Sequence, residues 1–188
     1  MATIATTPLW VYVLSRPRVD FDLIPAGFWS FAPDQANQST MLIFLVNIAL
    51  VNLGNEESGI GGVALKVDEF RGLQHWVPEC IASSQLIGDR IASNGGRREA
   101  QLVFSMVEPE AKRLVPHAEP LPYFISGRHA TGRIEVLPIG NKRLLWGKKR
   151  VRKDVYFVSN SWSALQARFI PDNFELLASQ LGIGSKEP

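Results

Sequence analysis

The longest apolar run of the chain is Met41 to Leu53, MLIFLVNIALVNL, interrupted only by Asn47 and Asn52. It is too short, and with its asparagines too polar, to cross a bilayer, which takes about 20 apolar residues in a helix. Ile43, Phe44, Val46, Ile48 and Val51 give it the β-branched and aromatic content of a strand covered on both faces. The turn-rich Gly54-Asn55-Glu56-Glu57-Ser58-Gly59 follows at once. The pattern predicts a central strand in a layered β structure.

Upstream, Leu9–Leu14 is a short apolar run and a candidate first strand, with Pro17 closing it off. Val19, Phe21 and Leu23 alternate with Asp20 and Asp22, the period of a half-buried strand with its carboxylates outward. Pro25, Ala26 and Gly27 predict a turn before Phe28–Phe31, and the polar stretch 32–40 reads as a loop. Downstream, Gly59, Gly61 and Gly62 read as a flexible connection. Val63, Leu65 and Val67, alternating with Ala64, Lys66 and Asp68, then predict a strand antiparallel to 41–53. Cys80–Ser93 has room for a helical segment, while Pro78 and Gly88 favour irregular structure or short strands.

Asn94-Gly95-Gly96 is a strong turn signal, after which Gln101–Val107 resumes as strand. Pro109 to Pro122 is a proline-rich connection with room for one helical turn at Glu110–Leu114. Tyr123–Ile125, Arg133–Leu137, Arg143–Trp146, Arg150–Val158 and Trp162–Ile170 are predicted strands. Glycine-containing turns at 127–132, 139–141 and 146–147 separate them. A helix is predicted over 173–181, with Asp172 as its cap and Glu175 completing a capping box. Phe174, Leu177, Ala178 and Leu181 form its apolar stripe and Gly182 stops it. It should lie against the sheet or cover an open edge.

Many short strands and one clear helix predict a mainly β chain: an antiparallel β-sandwich over residues 1–188 as one domain, with a C-terminal helix. The composition agrees. A chain of 188 residues can bury a sizeable core, and 46% hydrophobic with 20% charged residues is ordinary for a globular protein. The single cysteine, Cys80, excludes an intrachain disulfide. The first cation is Arg16, so the leading residues lack the basic start of a signal peptide, and a cytoplasmic setting is the expectation.

The succession IFLVNIALVNLGN, a loop, VALKV and then DRIASNGGRREAQLVFSM, over roughly residues 41–107, resembles an immunoglobulin-like sandwich. In such domains a strand ending in an Asn-rich turn precedes a strand pair, and a glycine turn later leads into an "xLxF" strand. The Cys…Trp…Cys arrangement of antibody domains is absent, because Cys80 stands alone. A jelly roll is the alternative architecture. Neither resemblance carries a function with it.

The formal net charge of +2 implies no overall affinity for polyanions, but it conceals one local concentration. Lys142, Arg143, Lys148, Lys149, Arg150, Arg152 and Lys153 crowd into KRLLWGKKRVRK, with Trp146 among them. A hairpin turning near Gly147 would present cations around an indole. That suits an acidic protein surface, or phosphate backbones with base stacking. The plainer reading is an edge strand whose cations deter sheet-to-sheet aggregation. Trp10, Trp29 and Trp162 lie in apolar company and read as packing residues, whereas Trp76 and Trp146 have polar neighbours and suit a stacking platform.

Signatures of catalysis fail in turn. His75 is five residues from Cys80 with Pro78 between, a spacing that defines no nucleophile–base pair, and with His117 and His129 no compact zinc spacing arises. Asp20/Asp22, Glu56/Glu57, Asp68/Glu69 and Glu108/Glu110 are explained by solvated faces. Gly54 and Gly59 begin a phosphate-loop spacing, but Ile60 and Gly61 stand where Lys and Ser/Thr are required. The expectation is a non-catalytic interaction module without cofactor, metal or membrane span. It would bind a protein partner, or a second copy of itself, through the basic residues and Trp146 named above. The alternative is a capsid-like binder of nucleic acid or another polyanion through the same segment.

Overall fold

A computed structural model describes residues 18–34, 39–70, 73–77, 79–80, 86, 88, 90–107, 129–139 and 150–182. The strands are β1 (Val19–Asp34), β2 (Ser39–Asn52), β3 (Ser58–Phe70), β4 (Leu73–Val77), β5 (Glu79–Cys80), β6 (Arg90–Ile91), β7 (Gly96–Val107), β8 (His129–Pro138) and β9 (Val151–Ser159). Two helices follow, α1 (Trp162–Gln166) and α2 (Pro171–Leu181). The strands hydrogen-bond in the order β4-β3-β8-β9-β1-β2-β7-β5, with β6 paired to β3. All pairs are antiparallel except β1 with β9. The chain is therefore mainly β with a C-terminal helix, as its pattern predicts.

The two layers expected of a sandwich are parts of one curled sheet. In a flat sheet β3 and β7, five strand spacings apart, would lie roughly 24 Å from each other. Instead Leu65 and Val67 of β3 belong to one buried cluster with Leu102, Phe104 and Met106 of β7. β4, at one end of the order, lies close to β7 near the other. Asn52 fastens the seam: its Oδ1 accepts from the Arg18 and Gly54 N–H groups, and its Nδ2 donates to the carbonyls of Glu56 and Ile91.

The run 41–53 is central, as expected. β2 pairs with β1 from Asn52↔Val19 to Ser39↔Asp34 and with β7 from Met41↔Val107 to Asn52↔Gly96. Leu42, Phe44, Val46, Ile48 and Leu50 point into the curl, whereas Met41, Ile43 and Leu45 point outward beneath Leu165 of α1 and Leu177 and Leu181 of α2. The helices thus cover a face of the sheet and not an edge.

Several local expectations need correcting. Pro25–Gly27 does not turn the chain: β1 runs on through a bulge between Ile24 and Phe28, with Ala26 at φ 51°. The predicted loop 32–40 is strand up to Asp34 and again from Ser39. Gly59, Gly61 and Gly62 belong to β3, and β3 pairs with β4, β6 and β8, not with β2. Gly132, assigned to a turn, lies within β8, where a β-carbon would meet the Lys66 carbonyl. Cys80 and Arg90–Ile91 lie in the short strands β5 and β6. Asn94 and Gly95 do form the expected turn, with φ of 56° and 91°.

Trp162–Ile170 is not a strand. Ser161 Oγ accepts from the Ala164 N–H and caps α1, whose Leu165 is buried against the sheet. In α2, Ile170 occupies the cap position and Asp172 sits in the first turn, so the capping box does not form, but Gly182 ends the helix in the left-handed conformation at φ 61°. The expected elements at 9–14, 109–122, 123–125 and 143–146 lie outside the described residues.

One polar side chain locks the helices to the sheet. Gln101 Nε2 donates to Asn47 Oδ1 at 3.1 Å and to the Arg168 carbonyl at 2.9 Å. Its Oε1 accepts from the Ile170 N–H at 3.0 Å and from Asn173 Nδ2 at 3.3 Å. Gln101 and Asn173 are both buried, so every hydrogen-bonding position of the Gln101 amide is used away from water.

Gln101→Ala would leave Asn47, Asn173 and the Ile170 N–H without these partners. We expect a loss of about 2–5 kcal/mol in urea unfolding, with amide exchange rising first in α2. At Gly27 a β-carbon would drive into the Phe157 ring, which is fully buried. Gly27→Ala should therefore cost about 1–3 kcal/mol, and Phe157→Leu in the same chain should recover part of that loss in a double-mutant cycle.

Candidate functional site

Of the residues singled out in the basic segment, Lys142, Arg143, Trp146, Lys148 and Lys149 lie outside the described residues. Arg150 immediately precedes β9, and Arg152 and Lys153 lie within it. The structure sorts these three into two groups. Each engages carboxylates that the sequence reading had not assigned to it.

Arg150 and Arg152 converge on Glu135. Strand register does this: β8 and β9 are antiparallel with Glu135↔Arg152 directly opposed. Arg152 Nε lies 2.7 Å from Glu135 Oε1, and Arg150 Nη1 lies 2.9 Å from Oε2. The Glu135 side chain is only 8% exposed, whereas those of Arg150 and Arg152 are 56% and 57% exposed. A buried carboxylate is tolerated because both its oxygens are held by charged donors. Two residues along the same face, Arg133 Nε lies 2.7 Å from Asp154 Oδ1. Gly62, Val63, Ala64 and Leu137, with Glu135 and Arg150, line a shallow hollow of about 160 Å³.

Lys153 belongs to the second group. Its Nζ lies 2.6 Å from Asp22 Oδ1 and 3.7 Å from Asp20 Oδ1, and 5.6 Å from the centre of the Phe21 ring. The hydrogen bond from Lys153, then its charge, holds the Asp22 carboxyl below its ordinary value, and the bond to Asp22 raises Lys153 in return. Asp20 and Asp22 are the outward carboxylates that the alternation in β1 predicts.

Glu135 was not foreseen as a site residue. Its signal is the alternation Arg133-Ile134-Glu135-Val136, which puts it on the outer face, but nothing local says that two arginines from the next strand meet it there. Trp29 is buried, and Trp162, the first residue of α1, packs half-buried against the cluster between helices and sheet, edge-on to Phe169, in keeping with their expected packing roles. Trp76 and Cys80 lie in β4 and β5, and His75 and His129 in β4 and β8. Among the described residues, no three His, Cys, Asp or Glu side chains gather in a way that could hold a metal ion. No described helix is long and apolar enough to cross a membrane.

No protein-family model and no curated protein matches the chain. Among solved structures, a Bordetella pertussis protein provisionally named ApaA aligns with a TM-score of 0.40 at 10% identity, over 78% of this chain and 97% of that one. A protein from Archaeoglobus fulgidus aligns with a TM-score of 0.39 at 12% identity, over 74% of this chain and 98% of that one. No functional statement about this chain follows from either.

The Asp22–Lys153 pair has a readable pH signature. Because folding lowers the Asp22 value, its contribution is fully present above about pH 4, the ordinary aspartate range, and is lost as pH falls through the lowered value. Because folding raises Lys153, the contribution is complete below the ordinary lysine value and is lost as pH rises through the raised one. Urea unfolding of Asp22→Asn against the unaltered chain should therefore show a gap at neutral pH that closes on acidification. A gap unchanged down to pH values well below the aspartate range would contradict this pairing.

Proposed function

We propose that the protein is a non-catalytic, mainly β interaction module that contacts a protein partner through the outer face of β3, β8 and β9. The observation that carries this reading is the convergence of two largely exposed arginines on one buried carboxylate beside a shallow hollow. Arginine held in a fixed orientation is over-represented in protein interfaces, because its planar fork loses little freedom on binding. Tyr156, 48% exposed, alternates with Arg152 and Asp154 along β9 and adds an aromatic group to the same face. The hollow is far smaller than the roughly 300–1,000 Å³ of a pocket that encloses a cofactor or drug-sized ligand, which favours a surface contact.

The alternative, a polyanion binder, draws less support. A groove that tracks successive phosphates needs a run of uncompensated cations, whereas Arg150 and Arg152 share Glu135 and Lys153 is held by Asp22, which leaves a single surplus charge rather than a run.

The full chain with Arg150→Glu and Arg152→Glu, checked for an unchanged thermal transition, should lose its partner in affinity capture followed by cross-linking. Undiminished recovery would remove this face from consideration. Recovery that collapses steeply between low and moderate salt in the unaltered chain would favour the polyanion alternative.

A further inference from the structure

The charge count around Glu135 is unbalanced: two guanidiniums share one carboxylate. In water this costs nothing, since both arginines are more than half exposed. Covering them with a partner changes the balance, because an uncompensated cation removed from solvent is strongly unfavourable. Whatever docks here must bring a negative group. Register places Ala64 of β3 beside Glu135 and Lys66 beside Arg133, so the hollow and the two arginines share one face.

The hollow states what kind of group. Arg150 forms one side, and Gly62, Val63, Ala64 and Leu137 supply short apolar walls. About 160 Å³ is room for one side chain, with methylenes against Ala64 and Leu137 and a charged end toward the guanidinium. A carboxylate on a short aliphatic stem meets both demands, and its planar oxygens match the arginine fork.

We propose that this hollow receives a glutamate side chain of an acidic peptide segment, which completes a two-arginine, two-carboxylate cluster with Glu135. The inference rests on the reading of this face as a protein contact and names the chemistry of the partner. It also assigns opposite roles to neighbouring residues. Arg150 attracts the incoming group, whereas Glu135 competes with it for the same cations.

The test uses the full chain and an N-acetylated, C-amidated tetraglutamate peptide, with tetraglutamine as control, followed by backbone chemical shifts at low salt. Tetraglutamate should shift Gly62, Val63, Ala64, Leu137 and Arg150, and tetraglutamine should not. Arg150→Gln, which leaves Arg152 on Glu135, should weaken tetraglutamate binding about tenfold or more, as expected for a charge-assisted hydrogen bond. Glu135→Gln should tighten it. Shifts centred elsewhere, equal binding of tetraglutamine, or weakening by Glu135→Gln as large as that by Arg150→Gln would overturn the proposal. So would tighter binding of a thymidine octanucleotide at the same residues, in favour of a nucleic-acid surface. If arginine reversal abolishes partner capture while tetraglutamate fails to bind, the glutamate assignment falls and the interaction surface stands. If capture survives reversal, the surface itself falls.

Discussion

Strand β2 has no free side, and the rest of the fold follows from that constraint. Both its edges are hydrogen-bonded, to β1 and to β7. Both its faces carry large apolar side chains, each gaining about 1.5–3 kcal/mol on full burial. Burying Leu42, Phe44, Val46, Ile48 and Leu50 requires the sheet to roll until β3 and β8 face β7. Burying Met41, Ile43 and Leu45 requires something outside the roll, and α1 and α2 meet that need. A strand apolar on one face only would have been satisfied by either device alone.

Polar groups decide where these apolar surfaces come to rest. Leu165, Leu177 and Leu181 could slide over an apolar sheet face at little cost, since dispersion and burial are not directional. Gln101 removes that freedom by binding Asn47 on β2, the backbone at Arg168 and Ile170, and Asn173 on α2. Arg168 stacks over the Phe28 ring at 4.0 Å and ties the same connection to β1. On the rolled side, Asn52 does similar work, joining the end of β2 to the backbone beside β3 and β6. Two amides thus set the register of surfaces whose stability comes from hydrocarbon.

The charged outer face is organised by strand pairing. Glu135 meets Arg152 because β8 and β9 are antiparallel in one register, and a slip of one residue would turn Glu135 into the core. That coupling makes the face rigid: its arginines are oriented by a buried carboxylate, which is itself placed by Ile134 and Val136 packing inside. Recognition built on such a surface depends on the integrity of the core behind it.

Local pattern was enough to reveal that 41–53 is a strand covered on both faces, that Asp20 and Asp22 point outward, that 94–96 turns, and that a helix ends at Gly182. These are statements about hydrophobic period, side-chain shape and positive φ, all carried by a few adjacent residues. Pattern misled where the deciding partner was remote. Pro25–Gly27 has turn composition but forms only a bulge, because Ile24 and Phe28 on either side stay paired to β2 and Gly27 pairs with β9. Trp162–Ile170 has strand composition but coils because Ser161 caps it and the sheet buries Leu165. The neighbours of β3, and the meeting of Arg150 and Arg152 with Glu135, depend on which strands pair. By itself, then, the chain determined its class and its central strand. Tertiary structure alone decided the sheet order, the helix cover and the charged cluster, because pairing is settled by the total burial of the whole sheet and not by any one segment's preference.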